Sequence, residues 1–140
     1  MRRWQSIAII TAVLAIEMAA QDAKRTEASV LGAWRGQSIC AVKESACHDE
    51  EALYRISATA QSDDQVTVSG NKIVDGKEIN MGTSDCTLDR QTATVECTLP
   101  NGNSIHLEIQ GDSILGNLKL RDGTMWRRIN LKRVDQKRSG

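Results

Sequence analysis

Phenylalanine is absent from the 140 residues, tyrosine and proline occur once each, and aromatic residues make up only 3%. Neither sign of charge is in excess: 18 lysines and arginines stand against 18 aspartates and glutamates, a formal net charge of zero. That balance excludes the broad basic surface of a nucleic-acid-binding domain, and no nucleic-acid partner is expected. No apolar stretch reaches the roughly 20 residues that a membrane-spanning helix needs. The composition also argues against a coiled coil, a collagen-like repeat and a disordered chain. No G-x-S-x-G, H-E-x-x-H, phosphate loop or Rossmann fingerprint occurs, so the common hydrolase, metalloprotease and nucleotide-binding chemistries have no anchor here. No asparagine is followed two positions later by serine or threonine, which removes N-glycosylation. The length suits one domain.

The N-terminal segment reads as an address. Arg2 and Arg3 precede the uncharged run IAIITAVLAI at 7–16, followed by Glu17-Met18-Ala19-Ala20. A basic start, a short apolar run and small residues match a secretory signal peptide over 1–20, with cleavage expected after Ala20. The rival reading is an uncleaved N-terminal anchor. Residues 21–30 are then a flexible mature N-terminus and 135–140 a flexible tail. The localisation expected is secreted or periplasmic, with no stable membrane span after cleavage.

Cysteine usage agrees with export. The chain has four cysteines, Cys40, Cys47, Cys86 and Cys97. An even number in an exported chain favours disulfides, and four cysteines allow three pairings. Spacing favours Cys40–Cys47 and Cys86–Cys97, each closed loop adding roughly 2.5–3 kcal/mol in the chain-entropy description. A metal site is the alternative, but neither spacing is the tight C-x₂₋₄-C of a zinc knuckle, so no metal is expected.

Beyond residue 30 no 3.6-residue apolar period is sustained. Short alternating runs recur between turn signals, predicting strands at 31–40, 52–60, 65–74, 77–88, 92–99, 104–110, 113–120 and 124–134. A one-residue slip would turn every side chain to the wrong face, so the register can be tested on paper. A Gly111-Asp112 turn pairs Ile109 with Ile114, Leu107 with Gly116 and Ile105 with Leu118. An Asp122-Gly123 turn pairs Leu120 with Met125, Leu118 with Arg127, Gly116 with Ile129 and Ile114 with Leu131. A three-residue Asn101-Gly102-Asn103 loop pairs Leu99 with Ile105 and Cys97 with Leu107. A tight turn at Gln91-Thr92 pairs Leu88 with Val95 and sets Cys86 opposite Cys97, close enough to bridge. Eight hairpin-linked strands leave two bare edges unless the sheet closes. The expected fold is therefore all-β: an eight-stranded antiparallel up-and-down meander barrel over 31–134, preceded by a signal-peptide helix. A flattened two-sheet sandwich is the alternative.

Gly32-Ala33-Trp34 opens the first strand, and the last strand ends in Asn130-Leu131-Lys132-Arg133. This arrangement resembles the calycin superfamily, which includes the lipocalins, fatty-acid-binding proteins and avidins. The resemblance implies that Trp34 and Arg133 are structural: the arginine crosses the tryptophan and closes the barrel floor by cation–π packing.

Candidate functional residues follow from the alternation. Arg127 shares the inward face of the last strand with Ile129 and Leu131, nearer the other end. It can hold a ligand carboxylate or phosphate there, or reach out to the rim. Leu107 and Leu118 join it as candidate ligand-binding residues in an aliphatic interior that also includes Val66, Val68, Val95, Leu99, Ile114 and Ile129. Leu115 and Trp126 fall on the outer face. His48-Asp49-Glu50 is the one dense cluster of acid–base groups and reads as polar loop surface. His106 faces outward. No catalytic residue and no cofactor are expected. The function expected is an exported small barrel holding a small apolar or amphipathic molecule. The alternative is an extracytoplasmic protein-binding module, such as an enzyme inhibitor, with a filled barrel.

Overall fold

The computed structural model describes residues 16–19, 21–22, 26–27, 29–43, 46–60 and 62–135. Most of the expected signal segment, the expected cleavage point at Ala20 and the residues after Asp135 lie outside the described residues.

The strands are β1 (Gly32–Cys40), β2 (Glu50–Ala58), β3 (Gln65–Val74), β4 (Lys77–Asp89), β5 (Thr94–Thr98), β6 (Ser104–Gln110), β7 (Ser113–Lys119) and β8 (Met125–Arg133). They form a closed antiparallel barrel in sequence order. Alternation of apolar and polar residues drives this: Ile105, Leu107 and Ile109 of β6 are buried while Glu108 and Gln110 are exposed, and Val95 and Cys97 are buried around an exposed Glu96. Only one face of each strand can leave water, so the sheet curls until those faces meet. Closure is made by β1 against β8, with Trp34 opposite Arg133 and Gly36 opposite Leu131. Closure leaves β1 and β8 no open edge to recruit another chain.

The register follows the alternation, with local differences. Ile109 pairs with Ile114, Leu107 with Gly116 and Ile105 with Leu118, and Leu88 pairs with Val95. Between β4 and β5, however, the strands part after Asp89 and Thr94, so the connection takes in residues 90–93. Asp89 Oδ1 accepts from the Gln91 and Thr92 amides and holds that loop. Between β5 and β6, Cys97 pairs with Ile105 and Val95 with Leu107, two residues from the expected alignment but in the same phase. The loop is Pro100-Asn101-Gly102, closed by the Leu99 amide donating to Asn103 O at 2.8 Å. Proline presets the first turn position, and the last needs a positive φ, which Gly102 supplies at 87°. At the β7–β8 hairpin, Leu118 pairs with Arg127 as expected, but Lys119 rather than Leu120 lies opposite Met125. Trp126 is the extra residue of a bulge.

Ahead of β1, the described residues between 16 and 30 are helical up to Val30, which is fully buried. Trp34 Nε1 donates to Val30 O at 3.0 Å, and Arg90 pairs with Glu27 at 3.0 Å. Gly32 then turns the chain into β1 at a φ of 124°, which explains the glycine of the G-x-W triplet.

Both disulfides are closed. Cys40 and Cys47 bracket the β1–β2 loop, and Cys86 and Cys97 bridge the neighbouring strands β4 and β5 with a Cα separation of 4.5 Å. Two such bonds suit an oxidising, extracytoplasmic environment. Among the described residues no helix is long and apolar enough to cross a membrane.

Candidate functional site: a cavity at the barrel mouth

The two ends of the barrel are built differently. At the end where β1 begins, Arg133 lies over the Trp34 ring at 4.1 Å from its centroid. Arg133 also donates to Leu31 O and to Asp112 Oδ1, both at 3.0 Å, and to Ser29 O. The helix end, Trp34 and the Gly111-Asp112 turn thus meet on one guanidinium. Above this floor the barrel is solid: Trp34, Leu107, Ile114, Leu131, Val66 and Val95 are all fully buried.

The other end is hollow. A cavity of about 550 Å³ opens there, with Val68, Leu99, Ile105 and Leu118 as its aliphatic lining and Pro100, Met81 and Trp126 at its mouth. Met81 reaches the mouth because β4 is irregular beside it: Gly70 pairs with Gly82 but Asn71 with Asn80, leaving Met81 over. Trp126 comes there through its own bulge instead of staying on the outer wall. The expected ligand residues divide accordingly. Arg127 and Leu118 line the cavity, whereas Leu107 is packed beneath it and does not. Leu107 falls in the solid layer because it pairs with Gly116 and fills the space that glycine leaves.

One wall of the cavity is polar. Ser38 of β1 and Tyr54 of β2 both face it, and both residues are more than nine-tenths buried. The Tyr54 ring lies beside Gly70, where a Cβ would stand 3.7 Å from Cε1, an ordinary van der Waals contact. Burial pushes the Tyr54 phenol up to about 12, with Arg127 pulling it down and Glu50 adding to the rise. The Tyr54 and Ser38 hydroxyls have no hydrogen-bond partner among the described residues.

Arg127 is more tightly held than an arginine reaching for the rim. Its Nη1 donates to His48 O at 2.8 Å and Ser38 O at 3.3 Å. Its Nη2 stands 3.7 Å from Glu50 Oε1, and Lys72 Nζ is 3.9 Å from the same oxygen. Two cations therefore share one carboxylate, and of the three only Glu50 and Arg127 line the cavity, one charge of each sign. The alternation A52-L-Y54 placed Tyr54 inward, and W34-R-G-Q-S38 placed Ser38 inward, so both were findable by the rule that found Leu118. The meeting of Glu50 with Lys72 was not, because it depends on the β2–β3 pairing.

The remaining sequence candidates scatter. His48 offers only its carbonyl to Arg127, Asp49 Oδ1 accepts from the Cys40 amide at 2.8 Å, and Glu50 faces the cavity. No group of three histidine, cysteine or acidic side chains fit to hold a metal occurs among the described residues. His106 lies on the outer wall between Glu96 and Glu108. No known protein family matches the chain, and no characterised protein is detectably similar to it in sequence.

Proposed function

We propose that this protein is an exported, calycin-like binding protein, not an enzyme, that holds a small apolar or amphipathic molecule at the mouth of its barrel. The observation that carries this reading is the cavity of about 550 Å³, inside the roughly 300–1,000 Å³ range of ligand sites. The solid floor supports it, since a barrel shut at one end and hollow at the other suits holding a molecule and not conducting one. The absence of phenylalanine is consistent, because aliphatic residues of modest size leave the upper barrel open. Arg127 and Leu118 are its proposed contacts. The signal-peptide reading of 1–20 and the two disulfides support a location outside the cytoplasm.

Mass spectrometry of organic extracts from protein purified after export tests this. An apolar or amphipathic molecule should co-purify in near-stoichiometric amount, and Leu118→Trp should displace it. Extracts from that variant carrying the same molecule in the same amount would refute the reading.

The second reading, a protein-binding module, rests on the outer wall. Ile39 and Leu115 are each 45% exposed and flank a shallow groove with Gln37, Arg128 and Asn130. Charge substitution at Leu115 would abolish partner capture on that reading and leave the cavity ligand in place.

A further inference from the structure

Strand β4 has 13 residues and its neighbour β5 has 5. Only Thr87, Leu88 and Asp89 of β4 pair with β5, and Cys86 is tied to Cys97 by the disulfide. On its other side β4 is paired with β3 from Lys77 to Thr87. Residues 77–84 therefore have β3 on one side and, among the described residues, no strand on the other. The closed barrel thus carries a free strand edge beside its mouth. Residues 77–83 are all exposed. Among the large apolar residues of this hairpin, Val74, Ile79 and Met81 are 41%, 42% and 59% exposed.

The turn fixes which backbone groups are free. Asp75 and Gly76 form a two-residue turn with φ values of 50° and 76°, and Val74 lies opposite Lys77. In such a hairpin the residues flanking the turn exchange hydrogen bonds, and bonded and unbonded pairs alternate from there. Lys72 with Ile79 is then a bonded pair, while Ile73 with Glu78 and Asn71 with Asn80 are not. The N–H and C=O of Glu78 and Asn80 therefore point away from β3, toward the free edge. Their side chains are engaged on the outer wall. Glu78 accepts from Arg55 Nε and Nη2, both at 2.9 Å, and Asn80 donates to Asn71 Oδ1 at 2.8 Å and Ser69 Oγ at 2.9 Å. Lys77, Ile79 and Met81 alternate with these two and share the opposite face.

We propose that this edge is a dimer contact, in which segment 77–81 pairs antiparallel with the same segment of a second copy across a two-fold axis at Ile79. A free edge is filled by another strand, because an extended backbone offers donors and acceptors at the matching spacing. With the axis at Ile79, Glu78 stands opposite Asn80 of the second copy, and the outward N–H and C=O groups of both are satisfied. Ile79 meets its own counterpart, and Lys77 lies against Met81. No like charges are opposed, and the Glu78 carboxylate is already matched by Arg55. An axis at Glu78 would set carboxylate against carboxylate. An axis at Asn80 would carry the pairing across the bulge at Met81, where the ladder is broken. The same bulge ends the pairing segment, so the contact is isologous and closed and does not propagate into a fibre. Met81 also borders the cavity, so the dimer brings the two mouths side by side. It does not depend on what the cavity holds.

Sedimentation equilibrium and amide exchange of the exported protein test this. A reversible monomer–dimer equilibrium is expected, weak because the contact is well below about 1,200 Å². Raising the concentration until roughly nine-tenths of the chains are dimeric should slow exchange of the Glu78 and Asn80 amides about tenfold and leave the Ile79 amide, bonded to β3, unchanged. Ile79→Lys, a charge that an exposed edge tolerates, should weaken dimerisation about tenfold. Ile79→Cys stands about 4.5 Å from its counterpart across the axis, Cα to Cα, and should form a disulfide-linked dimer when treated with oxidised glutathione, which takes up the two electrons. Val74→Cys, equally exposed but on β3, should not cross-link. A thermal melt of each variant confirms folding. A protein that stays monomeric at millimolar concentration would overturn the proposal. So would a dimer in which the Glu78 and Asn80 amides gain no protection, or one in which Val74→Cys cross-links as readily as Ile79→Cys.

Discussion

The Arg133 guanidinium stands 4.1 Å from the centroid of the fully buried Trp34 ring. The two residues are opposed across the β1–β8 seam, so the contact that covers the tryptophan also marks where the barrel closes. The same guanidinium reaches the Leu31 and Ser29 carbonyls and Asp112. Arg133→Ala should therefore cost about 2–4 kcal/mol, summing a cation–π contact with charge-assisted hydrogen bonds. Arg133→Lys should recover less than half of it, because one ammonium cannot serve the ring and three oxygens together. Urea melts of the two variants measure this, and a wild-type midpoint for Arg133→Ala would rule out the floor described here.

Arg127 is placed to hold the β1–β2 loop. Arg127→Met should free His48 O and leave Glu50 with Lys72 alone. A loss of about 1–3 kcal/mol is expected, with faster amide exchange confined to the 40–50 loop. Unchanged exchange there would mean that the guanidinium does not hold the loop.

The disulfides should differ in worth. Their sequence separations, 7 and 11, give nearly equal loop-closure terms of about 2.5–3 kcal/mol. Cys86 and Cys97 are 2% exposed, so replacing both by alanine also leaves a void in the core, at about 1–2 kcal/mol more. The Cys40/Cys47 pair lacks that second cost. Matched double-alanine variants should melt in that order.

Tyr54 is the chain's single tyrosine, so tyrosinate absorbance reports on it alone. In the native protein it should appear only as pH approaches about 12, against about 10 in denaturant. Because the folded state holds the proton more tightly, the linked stability is full below pH 10 and falls as pH rises from there toward 12. Native titration near 10 would show the phenol to be solvated.

His106 carries a second, milder pH dependence. Burial lowers its pKa, but hydrogen bonds to Glu96 and Glu108 outweigh that, and the net shift is upward. The ion contacts therefore stabilise the fold below the ordinary histidine value near 6.5, and that contribution is lost as pH rises through the elevated one. His106→Gln should remove this slope from melting temperature plotted against pH.

What the sequence determined by itself is the set of local rules obeyed strand by strand. Alternation with period two put Ile105, Leu107 and Ile109 inward and placed Cys86 against Cys97. Gly111-Asp112 set the β6–β7 register. These are short-range constraints, each readable within a dozen residues. The tertiary structure decided whatever depends on several strands at once. Leu107 and Leu118 lie on inward faces, yet one is in the solid floor and the other on the cavity, because depth along the barrel is set by the stagger of all eight strands. Trp126 and Met81 reached the mouth through bulges that alternation does not foresee. The turn from helix into Trp34 needed the floor to dock on. Ser38, Tyr54 and Arg127 come from three strands, and only closure of β1 onto β8 brings them around one cavity.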